Sequence, residues 1–145
     1  MEEKIKMFSL KTIICLLISF LFIHIAATFY YLYWLFPWLD IPMHFLGGFL
    51  LAVIYFWINA KVEILNLKLN KLPKWLVDLM FALSFVILIG VLWEFYEFFC
   101  DFYLLTNGKI SVFQNSFADT IGDLFCDLLG GATAFAIFYG KMNRC

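Results

Sequence analysis

Asp40 and His44 stand at the mouth of one apolar segment, Glu94, Glu97 and Asp101 close the next, and Asp119, Asp123 and Asp127 open the last. An ionisable side chain in hydrocarbon costs at least about 2.5 kcal/mol unless it is paired, wetted or bound to an ion, so each is a candidate for function. Carboxylate oxygens with one imidazole form a donor set for a divalent cation. Mg²⁺, Ca²⁺ and Mn²⁺ take carboxylates, and a histidine extends the range to Zn²⁺. The metal ligands expected are His44, Glu94, Glu97, Asp119 and Asp123. His44 either ligates or acts as general base, and Asp40, one helical turn away, can hold its ring in one tautomer.

Several of these residues also have ordinary work available. Asp40 can cap its helix, with Pro42 in the first turn, and Ser116-Phe117-Ala118-Asp119 reads as a capping box. Asp101 reads equally as a solvated helix end, and Asp78 as a carboxylate favoured by the helix dipole. Glu94, Glu97 and Asp123 lie roughly 5 to 10 Å inside their helix ends at a rise of about 1.5 Å per residue, and Asp127 lies deeper. Protonated, they would serve as interhelical packing glue. A bound cation accounts for so many acids near one histidine more simply. His24, near the middle of the first span, reads as an interhelical hydrogen-bonder. Cys15, Cys100, Cys126 and Cys145 show no CxxC spacing, and no disulfide or thiol chemistry is expected.

The elements that carry these residues follow from composition. Of 145 residues, 65% are hydrophobic and 21% aromatic, and 14% charged residues cannot cover that surface in water. The chain reads as an all-α, polytopic integral membrane protein. A net charge of -1 offers no basic surface for nucleic acid. Four apolar stretches approach or exceed the roughly 20 residues that cross a bilayer as helix, at 10–36, 41–60, 76–100 and 117–140. A single membrane domain over 1–145 is expected, as a four-helix bundle. The linker between spans two and three carries Ile64, Leu65, Leu67 and Leu69, spaced to lie along the membrane surface. Span one reads as a retained anchor and not a cleaved signal peptide, because its apolar run continues past Ala26-Ala27. Tyr30, Tyr31, Tyr33, Trp34 and Trp38 read as an interfacial aromatic belt.

Nine of the ten basic residues, all but Lys109, fall before span one, between spans two and three, or after span four. That bias puts both termini in the cytoplasm and the acidic residues at the outer face. Lys109 is then the one positive side chain there to meet a phosphate, so a phosphate-bearing substrate would need a metal. Helical spacing adds a shared geometry. Asp40, His44, Gly48 and Ala52 fall on one stripe, Asp119, Asp123, Asp127, Gly130 and Ala134 on another, and Glu94, Glu97 and Asp101 lie above Gly90 on a third. Small residues beneath the acids allow close approach of the helices, and the polar faces should meet.

Asp40-Ile41-Pro42-Met43-His44-Phe45 followed by Gly47-Gly48 resembles the D-x-x-x-H-F opening of the VanZ-like and YjdF-like small bacterial membrane proteins. Trp93-Glu94-Phe95-Tyr96-Glu97-Phe98 resembles the E-x-x-E element of the YjdF-like branch, and Asp119 to Asp123 with Gly130-Gly131-Ala132 resembles the closing D-x-x-x-D pattern. The resemblance implies a multi-span protein of the prokaryotic cytoplasmic membrane with a polar site at Asp40, His44, Glu94, Glu97, Asp119 and Asp123. One branch is similar to proteins that lower susceptibility to glycopeptide antibiotics. This chain lacks the glutamine and arginine that follow the second glutamate there, and that activity is not carried over. The function expected is a divalent-cation site acting on an envelope lipid or lipid-linked substrate. Two other classes use the same acids: a small transporter or ion pathway, in which Asp127 and His24 continue a relay, and a non-catalytic module that holds a cationic headgroup or a partner, as a monomer or an oligomer.

Overall fold

The computed structural model describes residues 9–62, 72–105 and 116–142, and these are helical with short connections. Helix α1 is Leu10–Phe29, α2 is the single turn Leu32–Leu35, α3 is Asp40–Val62, α4 is Lys74–Phe99 and α5 is Phe117–Met142. Four stretches are long and apolar enough to cross a membrane: Leu10–Phe29, Pro37–Ala60, Lys74–Tyr103 and Phe117–Gly140. The all-α, polytopic reading holds. The linker residues Ile64, Leu65, Leu67 and Leu69, and much of the basic set behind the orientation argument, lie outside the described residues.

The first span ends earlier than its apolar run suggests. Ser9 caps α1 by accepting from the Lys11 amide at 3.3 Å. At the other end the Thr28 hydroxyl donates to the His24 carbonyl at 2.9 Å, a back-bond that competes with the helical ladder. Tyr31 then takes a left-handed backbone at φ 55°, and the chain turns into α2 instead of running on to residue 36. A 3-10 turn at Pro37–Leu39 feeds directly into α3. Asp40 is therefore helical, with φ -65° and ψ -43°, and lacks the extended backbone of an N-cap. Its carboxylate is not committed to capping.

Helix α4 follows Pro73, whose extended backbone and missing amide suit the position before a helix start. It continues past Phe99 into a π-helical stretch, Cys100–Leu105. Asp101 is consequently buried at 7% exposure, not a solvated helix end. At the start of α5, Ser116 accepts from the Asp119 amide at 3.1 Å, so this half of the capping box forms.

Helices α3, α4 and α5 pack against one another, and α1 leans mainly on α3. In lipid the association of helices depends on close packing, which small residues permit. The crossing of α3 and α5 is close enough that a Cβ at Gly48 would meet the Asp127 carbonyl oxygen, and one at Gly130 the Phe45 carbonyl oxygen. Ala52 and Ala134, further down the same stripes, are completely buried. Below the crossing, Val53, Phe56, Ala82, Val86 and Phe135 close an apolar core. Tyr33 departs from the belt expected of it: it is buried beside Ala27, Met43 and Cys100, while Tyr30, Tyr31, Trp34 and Trp38 stay exposed.

Candidate functional site

His44 is the hub. It sits one turn into α3, 6% exposed, and the other helices of the core bring carboxylates to both of its nitrogens. On the Nε2 side Asp40 Oδ1 lies at 3.7 Å and Glu94 Oε1 at 3.9 Å, and on the Nδ1 side Asp127 Oδ1 lies at 3.5 Å. Ligand atoms of Asp40, His44 and Asp123 fall within 4.8 Å of one another, as do those of His44, Glu94 and Glu97. Two metal–oxygen bonds placed end to end span roughly 4.0 to 5.2 Å, so donors with this spread can surround one ion after small rotamer adjustments.

Asp127 owes its place to a missing side chain on α4. A Cβ at Gly90 would come to 2.6 Å from Asp127 Oδ2, whereas one at Gly47 of α3 would make an ordinary contact, 3.8 Å from Oδ1. The carboxylate occupies a niche between those glycines, at 4% exposure. Glu97 is held differently, by the Trp93 indole one turn away, which donates to Oε1 at 2.9 Å. Glu94 is 7% exposed, and neither of its oxygens makes a hydrogen bond among the described residues. The Thr120 side chain of α5 stands beside it as a weak donor, outside strict hydrogen-bonding geometry. A buried carboxylate without well-formed hydrogen bonds carries most of its desolvation cost. Among the described residues no lysine or arginine forms an ion pair with this cluster.

Of the residues singled out from sequence, Asp40, His44, Glu94, Glu97 and Asp123 converge. Asp119 lies one turn from Asp123 toward the mouth, half-buried, outside both groups that can share an ion, with Oδ2 unpartnered. Asp127, placed by spacing below the ligands, reaches His44 from the side opposite Asp40. Trp93 had a signal in its i, i+4 spacing to Glu97, and Asp127 in sharing a stripe with Asp119 and Asp123. On a neighbouring wall His24 Nδ1 lies 2.9 Å from the Tyr33 hydroxyl, and its ring stands edge-on to Trp93 with centroids 4.7 Å apart. A cavity of about 150 Å³ separates this pair from His44 and Asp127.

The family described as Predicted membrane protein (DUF2238) matches residues 2–144. The chain belongs to that family. No curated protein and no solved structure matches this DUF2238 chain. Membership agrees with the four membrane-crossing helices and is coarser than the VanZ-like or YjdF-like resemblance. The site of this DUF2238 protein must therefore be read from its own chemistry: oxygen donors from three helices, one imidazole, and a deficit of positive charge.

Proposed function

We propose that this protein binds a divalent cation at the carboxylate–histidine cluster and uses it to act on a phosphate-bearing lipid or lipid-linked substrate in the outer leaflet of a prokaryotic cytoplasmic membrane. The observation that carries the proposal is Glu94, a buried carboxylate that makes no hydrogen bond among the described residues, with Oε1 3.9 Å from His44 Nε2 and grouped with His44 and Glu97. A divalent cation would satisfy its oxygens and offset the neighbouring acids together. Asp127 holds Nδ1 and so fixes the ring, which leaves Nε2 to the cation or, as general base, to a substrate proton. Asp40, Glu94, Glu97 and Asp123 supply the oxygens, and Asp119 at the mouth meets the cation as it enters. The mixed oxygen and imidazole set suits Mn²⁺ or Zn²⁺, with Mg²⁺ and Ca²⁺ as the purely oxygen-loving alternatives. A through-path for ions is disfavoured by the layer of Ala52, Val53, Val86 and Phe135, which separates the cluster from the polar Tyr55 and Asp78 toward the other end of the helices.

The direct test is metal content by plasma mass spectrometry of protein purified in detergent without chelator. About one equivalent of a divalent metal is expected in wild type, falling to background in Glu94→Ala. Background levels in wild type even after dialysis against Mn²⁺, Mg²⁺, Ca²⁺ and Zn²⁺ would sink the reading. Orientation is tested separately, with single cysteines in intact cells. A cysteine replacing Asn107 should react with an impermeant maleimide and one replacing Asn66 should not, as the bias of basic residues requires. The opposite labelling would move the site to the cytoplasmic leaflet.

A further inference from the structure

The cavity beside the cluster has a gradient of polarity along its depth. Its upper wall carries Asp40, Glu97 and Tyr33, and its lower wall Leu17, Leu50 and Ile89. The upper residues come from α2, the start of α3 and the end of α4, and the lower ones from the middles of α1, α3 and α4. The resulting shape is polar at the height of a lipid headgroup and hydrocarbon-like toward the midplane. Water is a poor occupant of the lower part, since a buried water needs two to four polar partners. A volume of about 150 Å³ matches that of an apolar cavity known to accept benzene, roughly six carbons. Helix α1 makes its main contacts with α3 and with α2 and meets α4 at the His24–Trp93 ring contact, so the rest of its seam with α4 is sparsely packed. Its outward face presents Ile18, Phe22 and Ile25 to the bilayer.

We propose that this cavity seats a segment of one hydrocarbon chain of a membrane lipid, entering between α1 and α4, with the polar head of that lipid at the carboxylate–histidine cluster. The proposal deepens the function proposed above and rests on it only for the position of the headgroup. It names the substrate class: a molecule with a flexible, unbranched or isoprenoid chain thin enough to pass between two helices, and not a soluble phosphate compound. Trp93 and His24 form the shelf between the two halves. Their edge-on contact places an aromatic wall where the chain would leave the polar zone.

The test uses full-length protein in nanodiscs of phosphatidylglycerol and phosphatidylethanolamine containing tracer phosphatidylglycerol with a diazirine in one acyl chain. After irradiation, adducts are mapped by mass spectrometry. Wild type is expected to carry adducts at Leu50, Leu51 or Ile89 of the cavity in addition to those at exposed Ile18 and Phe22. Leu51→Trp, which fills the cavity, should lower the cavity adducts several-fold and leave those at Ile18 and Phe22 unchanged. Leu21→Trp fills it from the opposite wall and serves if the first variant does not fold. Adducts confined to Ile18, Phe22 and other exposed positions, or cavity adducts indifferent to both tryptophans, would overturn the chain seat. Metal content measured on the same nanodisc samples separates the two proposals. Cavity adducts in a protein that binds no metal would remove the cation reading alone, and metal binding without cavity adducts would remove the chain seat alone.

Discussion

Gly48→Leu and Gly130→Leu are expected to give essentially no folded, monodisperse protein in mild detergent, whereas Gly122→Leu gives wild-type yield. At the first two positions even the Cβ would run into backbone, the Asp127 carbonyl in one case and the Phe45 carbonyl in the other. Overpacking a core with added methylenes typically costs about 1 to 3 kcal/mol because neighbouring side chains shift. Here the obstacle is a helix axis, so relief requires α3 and α5 to separate along their length. Gly122 has nothing within 4 Å of its would-be Cβ, and leucine also favours helix there. Size-exclusion profiles of the three variants provide the check. Equal yields would mean that the crossing is not as close as described, and the site would lose the frame that joins His44 to Asp127.

The second large effect concerns the charge of the site. Saturation of wild type with its cation at about a hundred times Kd should add about 2.7 kcal/mol of stability by mass action. For a chain of this size that corresponds to an increase in Tm on the order of 8 °C. Glu97→Gln should abolish the increase. The amide keeps the size of the side chain and its oxygen can still accept from the Trp93 indole, so a role confined to packing or hydrogen bonding would survive the change. Loss of the cation-dependent shift with an unchanged or higher metal-free Tm identifies a ligand whose charge is costly without its ion. Wild type with no shift for Mn²⁺, Mg²⁺, Ca²⁺ or Zn²⁺, and Glu97→Gln indistinguishable from it, would leave the carboxylates as packing glue.

Apolar length made the four spans legible in the sequence, and three-and-four spacing gave the face of each helix that carries acids. Both are local properties. The end of the first span was not legible, because Tyr31 adopts a left-handed backbone without the glycine or asparagine that usually marks one, and hydropathy is blind to the turn. Asp40 looked like a cap because Pro42 follows it, yet the preceding 3-10 turn already supplies the helical start. The role of Asp127 was hidden for a different reason. Spacing orders residues along one helix but does not give the relative height of two helices, and only the crossing at Gly48 and Gly130 lifts Asp127 to the level of His44. Gly47 and Gly90 were visible as small residues. Their meaning as a niche for a carboxylate depends on the third helix that fills it.

The same crossing sets which ions the proposed site would tell apart. Backbone approaches backbone beside His44 and Asp127, Gly48 against Asp127 and Gly130 against Phe45, so the distance between α3 and α5 is set at that level and cannot follow the radius of an ion. Helix α4 meets its neighbour through side chains instead, with Val86 and Leu83 against Gly131 and Leu124 against Gly90. It is the compliant wall, and it carries Glu94 and Glu97. Mg²⁺ demands oxygens at about 2.0 to 2.1 Å and Ca²⁺ accepts them at about 2.3 to 2.6 Å. A calliper with one fixed jaw and one sprung jaw closes on the smaller ion only as far as α4 can tilt inward. Discrimination by size would then be tuned by the bulk of Val86, Leu83 and Leu124, three residues that touch no ion.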